Sequence, residues 1–154
     1  MILTTICYLK KDHKTLLLHR TKKENDINEG KWIGIGGKIE KGESPIDCIK
    51  REVFEESGYI LNKINYVGFI TFPNIYHGED EGMFLFTSDD FSGEMIQDCH
   101  EGNLKWIDDT KIKELPMWEG DSYFFEWFDK KNKILAKFSY ENDKLIEKDI
   151  FYIN

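Results

Sequence analysis

Two short apolar runs open the chain, ILTTICYL (2–9) and KTLLLHR (14–20), with the polar KDHK between them. Runs of this length bounded by turn formers predict two strands joined as a hairpin. TKKENDINEGK (21–31) carries no apolar period, is charged and turn-rich, and predicts an exposed loop entering a site from one side. WIGIGGKIEKGE (32–43) pairs a short strand with glycines that permit tight, irregular backbone.

From Ser44 the pattern becomes helical. Ser44 is a good N-cap, Pro45 fits the first helical position, Asp47 favours the first turn and Gly58 suits the other end. With side chains about 100° apart around a helix, Ile46, Ile49 and Val53 form an apolar stripe that is expected to face the core. Two further strands are predicted at INYVGFITF (64–72) and MFLFTSDDF (83–91), separated by a loop with Pro73, His77 and Gly78, and LKWID (104–108) suits another. WEGDSYFFEWFDK (118–130) reads as a second helix packing its aromatics on the sheet, and KILAKFSY, ENDK and LIEKDIFYI read as a closing hairpin. Strands interrupted by two helices imply an α/β protein, a mixed β-sheet sandwiched between helices.

Length and charge narrow the partners. At 154 residues with no repeat, linker or low-complexity tract, one domain over residues 1–154 is expected. A net charge of −8 argues against a nucleic-acid polymer or an anionic membrane surface as partner, because both attract Lys and Arg. A small anionic ligand then needs local help from a bridging cation or a few lysines. Cys7, Cys48 and Cys99 are odd in number, widely spaced and without a C-x-x-C pair, so neither a disulfide framework nor a zinc site is expected. The start, MILTTICYLKK, lacks a basic n-region and a long apolar run, so a cytoplasmic location is expected.

The same helix is unusually acidic on one side. Glu52 and Glu56 lie about 40° apart on the wheel with Glu55 next to them, so three carboxylates converge along one edge of the apolar stripe. Glu56 falls close to the apolar arc itself. Only Lys50 and Arg51 dilute this charge, and a hard divalent cation such as Mg²⁺ would relieve the remaining repulsion, since it takes oxygen ligands and bridges carboxylates to phosphates. The alternative is an ordinary solvated acidic face.

GGKIEKGESPIDCIKREVFEESGY (36–59) resembles the signature of the Nudix hydrolases, G-x5-E-x7-R-E-U-x-E-E-x-G-U with U apolar. Gly37, Glu43, Arg51, Glu52, Val53, Glu55, Glu56 and Gly58 match in register, and Tyr59 departs from the usual aliphatic. The resemblance implies the Nudix α/β/α sandwich and hydrolysis of a nucleoside diphosphate linked to another group. It implies Mg²⁺ or Mn²⁺ held by Glu52, Glu55 and Glu56 with the Gly37 carbonyl as a further ligand. Arg51 and Glu43 become orienting residues, the general base becomes one of the helix glutamates or a loop acid, and Glu101 in CHEGNLKW is the loop candidate for that role and for metal binding. Lys23 and Lys38 are candidates to reach phosphate oxygens as point charges.

Beyond that segment, GKWIGIGGK, CHEGNLKWID and MWEGDSYFFEWF resemble the MutT-type sanitisers of the nucleotide pool and the human oxidised-purine triphosphatase. That resemblance places a base between Trp118, expected to stack on a purine, and Asp121, expected to accept hydrogen bonds from its edge. A core tryptophan and a helix N-terminal acid are the ordinary alternatives. Two polar readers of the human enzyme are replaced, one by Ile33 and one by Gly120. The expected activity is an 8-oxo-dGTP diphosphatase, giving monophosphate and pyrophosphate from a chain that is monomeric or at most a weak homodimer. A Nudix pyrophosphatase for another nucleoside triphosphate or a nucleotide sugar is the first alternative, and a non-catalytic nucleotide-binding module the second.

Overall fold

The computed structural model describes residues 1–154 except 23, 24, 98 and 100. The first hairpin joins β1 (Ile2–Lys11) to β2 (Lys14–Arg20) through Asp12 and His13, both in left-handed backbone at φ 53° and 61°. Two consecutive left-handed residues form the two-residue turn whose twist matches paired strands. The strands stay paired only from Leu9↔Leu16 to Lys11↔Lys14 and then part. One stretch of chain fills the fork: β3 (Trp32–Ile33) pairs with β2, and β4 (Ile35–Lys38) pairs with β1 from Thr4↔Lys38 to Cys7↔Ile35. Gly36 is obligatory at this crossing, because a Cβ there would lie 1.9 Å from the Thr5 carbonyl oxygen.

The remaining strands are β5 (Tyr59–Phe72), β6 (Glu81–Gly93), β7 (Gly102–Asp108), β8 (Lys133–Glu141) and β9 (Lys144–Ile153). They order the mixed sheet as β3-β2-β1-β6-β5-β8-β9, with β4 on β1 and β7 on β2. β1 runs parallel to β6 and β5 parallel to β8, while the hairpins are antiparallel. Asn142 and Asp143 repeat the left-handed turn in the last hairpin.

Helix α1 (Pro45–Ser57) has both expected ends. Ser44 and Asp47 form a reciprocal capping box, and Gly58 terminates the helix at φ 85°. Helix α2 spans only Asp121–Trp127, shorter than its aromatic pattern suggested, and a 3₁₀ segment at Asp109–Glu114 precedes it. The two helices cover opposite faces. Cys7 and Leu9 of β1 pack with Ile49 and Val53 of α1, whereas Ile6 and Tyr8 pack with Phe124 and Trp127 of α2. This alternation is the period of two expected of a strand buried on both faces.

One position of the expected stripe is corrected. Ile46 is 39% exposed, while Cys48, Ile49, Val53, Glu56 and Ser57 are the buried residues of α1. The Cys48 thiol sits 3.2 Å from Thr5 Oγ1 and 3.4 Å from the Lys38 carbonyl oxygen, which turns the helix face beside β4 inward and leaves Ile46 outside. Among the described residues no helix is long and apolar enough to cross a membrane.

Candidate active site

The fork between β1 and β2, the 25–28 loop and the start of α2 enclose a cleft of about 780 Å³. Gly37, Lys38, Glu52 and Glu101 line one end, and Ile33, Trp118 and Asp121 line the other. The structure therefore brings Glu52 and Glu101 to one cavity with Ile33, Trp118 and Asp121, while Glu43, Glu55 and Glu56 are not among its lining residues. Lys23 lies outside the described residues.

Arg51 organises the acidic end. Its Nε donates to Glu43 Oε2 at 2.7 Å and its Nη2 to Glu43 Oε1 at 2.9 Å, a two-point guanidinium–carboxylate pair. That pairing holds the Glu43 carboxyl down at about 2. Nη1 donates to Glu52 Oε1 at 2.7 Å and to Glu55 Oε2 at 3.3 Å, and Nη2 also reaches the Lys38 carbonyl oxygen at 3.2 Å. One fixed cation thus orients three carboxylates and ties α1 to the end of β4. Gly37 completes the packing, since a Cβ there would lie 2.5 Å from Glu52 Oε1.

Glu56 has different surroundings. It is 3% exposed, and neither carboxylate oxygen has a hydrogen-bond partner among the described residues. Burial first, then the nearby Glu101 carboxyl and Glu52, push its pKa well above the carboxyl range. Two carboxyls brought this close do not both ionise readily, which favours a proton kept on one of them. Glu101 reaches this place because β7 pairs with β2 through Arg20↔Gly102, and Arg20 Nη1 donates to Glu101 Oε2 at 3.0 Å. Arg20 also donates from Nε to Asp26 Oδ2 at 2.7 Å, anchoring the loop that borders the cleft.

The three helix glutamates do not converge as one cluster. Arg51 draws Glu52 and Glu55 to itself, Glu55 is largely exposed, and Glu56 turns inward toward Glu101. Among the described residues no three acidic, histidine or cysteine side chains stand close enough to hold one ion as they are placed. The donor set nevertheless fits a hard divalent cation: the buried Glu56 carboxyl has both oxygens unpartnered among the described residues, Glu101 lies beside it, and Glu52 lines the cleft together with Glu101.

At the other end Trp118 donates from Nε1 to Asn28 Oδ1 at 2.7 Å, and Lys31 Nζ lies 4.4 Å from the centre of its ring. One face of the indole is therefore covered by a cation, which leaves less of it open for stacking than the sequence suggested. Asp121 is buried, and desolvation with help from Glu81 raises its carboxyl to about 8, against a lowering by Lys31. Glu81 is buried enough to be raised as well, and Thr4 Oγ1 donates to its Oε2 at 2.5 Å. Arg20, Asn28, Glu81 and Tyr140 also line the cleft and were not singled out from sequence. They stand in ordinary strand and loop patterns with no spacing to mark them.

The chain resembles known proteins in sequence and in fold. Residues 2–128 match the NUDIX domain family. The chain is 36% identical over 136 residues to the uncharacterized Nudix hydrolase YvcI of Bacillus subtilis, covering 85% of this chain and 81% of that one. It is 31% identical over 124 residues to the oxidized purine nucleoside triphosphate hydrolase of Danio rerio, covering 80% and 79%. In three dimensions it superposes on the crystal structure of the MutT mutator protein of Bacillus halodurans with a TM-score of 0.85 at 27% identity, covering 97% of each chain.

Proposed function

The chain belongs to the NUDIX family of hydrolases, and from that membership we propose that it hydrolyses oxidised purine deoxynucleoside triphosphates, 8-oxo-dGTP foremost, to monophosphate and pyrophosphate. The observation that carries this reading is the continuity of one cleft from the acidic end at Glu52 and Glu101 to the aromatic and acidic end at Trp118 and Asp121. A triphosphate and a purine need those two chemistries side by side. The oxidized purine nucleoside triphosphate hydrolases of fish and mouse, 31% and 30% identical, support the same substrate class.

Glu52, Glu55 and Glu56 of α1, with Glu101 and the Gly37 carbonyl, are the groups that would hold Mg²⁺ or Mn²⁺. Such a cation neutralises the polyphosphate and makes a bound water more acidic. Arg51 fixes the directions of Glu52 and Glu55, and Glu43 fixes Arg51. Arg20 donates to Glu101 at the acidic end, and the Glu101 carboxylate or one of the helix glutamates would take the proton of the attacking water. Lys38, at the rim of the same cleft, supplies a point charge for the phosphates. Ile33 and Trp118 enclose the base, and Asp121 reads its edge.

The test is a product-release assay with oxidised and normal deoxynucleoside triphosphates and nucleotide sugars, run with Mg²⁺ in ¹⁸O water. The expected result is the highest kcat/KM for an oxidised purine triphosphate, with pyrophosphate released and the label revealing the attacked phosphorus. Release of diphosphate and inorganic phosphate, or preference for a nucleotide sugar, would contradict the assignment.

The Arg51 hub makes a separate prediction. Arg51→Lys keeps the charge but lacks the planar fork that holds Glu43, Glu52 and Glu55 together. Metal-dependent turnover is expected to fall roughly 10- to 100-fold, as for other groups that orient metal ligands. Steady-state kinetics at saturating Mg²⁺ checks this, and retention of full activity would remove Arg51 from its orienting role.

A further inference from the structure

Gly120 has no backbone reason to be glycine. Its φ of −70° and ψ of −23° are open to any residue, and it occupies the N-cap position of α2, where Ser, Asp or Asn is favoured. The reason is space: a Cβ on residue 120 would lie 2.6 Å from the Tyr140 hydroxyl oxygen and 2.6 Å from Phe138 Cδ2. The Tyr140 hydroxyl occupies the volume that a side chain at position 120 would take.

That hydroxyl is held in place. The Gly120 backbone N–H donates to it at 2.7 Å, and its ring meets Trp118 edge-on at 4.9 Å and packs beside Phe72 at 6.4 Å. Accepting from Gly120 leaves the hydroxyl its own proton to donate. Asn28 is fixed in the same way: Trp118 Nε1 donates to its Oδ1, so Asn28 Nδ2 carries donors only. Tyr140, Asn28 and Asp121 all line the base end of the cleft.

We infer that Tyr140, seated by Gly120, is a specificity-determining residue whose hydroxyl donates a hydrogen bond to the exocyclic oxygen of a 6-oxopurine. The inference rests on the purine triphosphatase reading above and deepens it. A 6-oxopurine presents an acceptor at O6, which suits the hydroxyl donor of Tyr140; N7 accepts from Asn28 in an ordinary purine but carries a proton in an 8-oxopurine, so O6 is the acceptor common to both. A 6-aminopurine puts an N–H₂ donor where O6 would be and sets donor against donor. The Asp121 side-chain carbonyl oxygen can then accept from the ring N1–H of the 6-oxopurine.

Two variants test this in the full-length enzyme. Tyr140→Phe removes the hydroxyl, and Gly120→Ala keeps it but pushes it from its seat. In each, the ratio of kcat/KM for a 6-oxopurine triphosphate to that for a 6-aminopurine triphosphate is expected to fall about tenfold, the scale of one hydrogen bond. Calorimetric binding of the two purine nucleoside monophosphates should show the same narrowing, and thermal melts confirm that each variant is folded. An unchanged ratio in folded Tyr140→Phe, with wild-type enzyme active on purine triphosphates, overturns this inference alone. A wild-type enzyme that releases no purine monophosphate overturns the broader reading with it.

Discussion

Glu56→Gln is expected to raise the thermal stability of the metal-free protein while removing most of its metal-dependent activity. The two effects have one origin. Glu56 is buried at 3% exposure with both oxygens unpartnered among the described residues, beside a second acid on Glu101. A buried group left without a partner costs roughly 1–3 kcal/mol, more when charged. The glutamine amide has nearly the same shape, carries no charge, and supplies an N–H₂ donor that Glu101 can accept. For a chain of this length each kcal/mol shifts the melting temperature by about 2–4 °C, so a calorimetric scan resolves the gain. Turnover with Mg²⁺ is expected to drop at least about a hundredfold, because the substitution exceeds an outer-shell change in severity. A variant that melts lower than wild type without metal would contradict the account of Glu56 as a destabilising residue retained for function.

Asp121 carries the second large effect. Asp121→Ala is expected to lower kcat/KM for purine triphosphates by about a hundredfold or more while affecting pyrimidine triphosphates much less, since a site built to hydrogen-bond its ligand discriminates strongly. The same residue sets a pH dependence. Its carboxyl is raised to about 8 by burial and by Glu81 of β6, against Lys31 of the neighbouring loop, with the Tyr140 hydroxyl of β8 also close. The folded state therefore holds this proton more tightly than the unfolded chain does. The stability contribution is fully present below the unfolded pKa near 3.8 and is lost as pH rises through about 8. Within that window the loss is at most roughly 1.4 kcal/mol per pH unit. Asp121→Asn should flatten this part of the stability–pH curve measured by denaturant titration. A slope between pH 5 and 8 that is the same in both proteins would contradict the assignment.

Local signals in the chain were sufficient for most of the scaffold. Ser44, Pro45, Asp47 and Gly58 marked both ends of α1, and the polar breaks KDHK and ENDK marked the two hairpins, because caps and tight turns depend on residues adjacent in sequence. What depended on tertiary context was less legible. Ile46 fits the helical period yet lies outside, since Cys48 and its contacts with Thr5 and Lys38 fix the rotation of the helix. The aromatic run at 118–130 forms only seven helical residues.

The acidic edge of α1 was legible as a cluster of carboxylates, but its internal division was not. Helical spacing places Glu52, Glu55 and Glu56 together, whereas the fold gives the first two to Arg51 and the third to Glu101. Glu101 and Asp121 were found through resemblance alone. Asn28, Glu81 and Tyr140 became visible only when β6, β8 and the 25–28 loop were brought around one cleft.

Direct binding of Mn²⁺ to the metal-free protein, followed by calorimetry in wild type and Glu56→Gln, tests the central claim that the acidic end of the cleft is built for a divalent cation. Saturable binding by wild type that raises its melting temperature, with affinity lowered at least about tenfold in the variant, is the predicted result. Equal affinity in the two proteins, or wild-type turnover that persists undiminished in excess chelator, would contradict it.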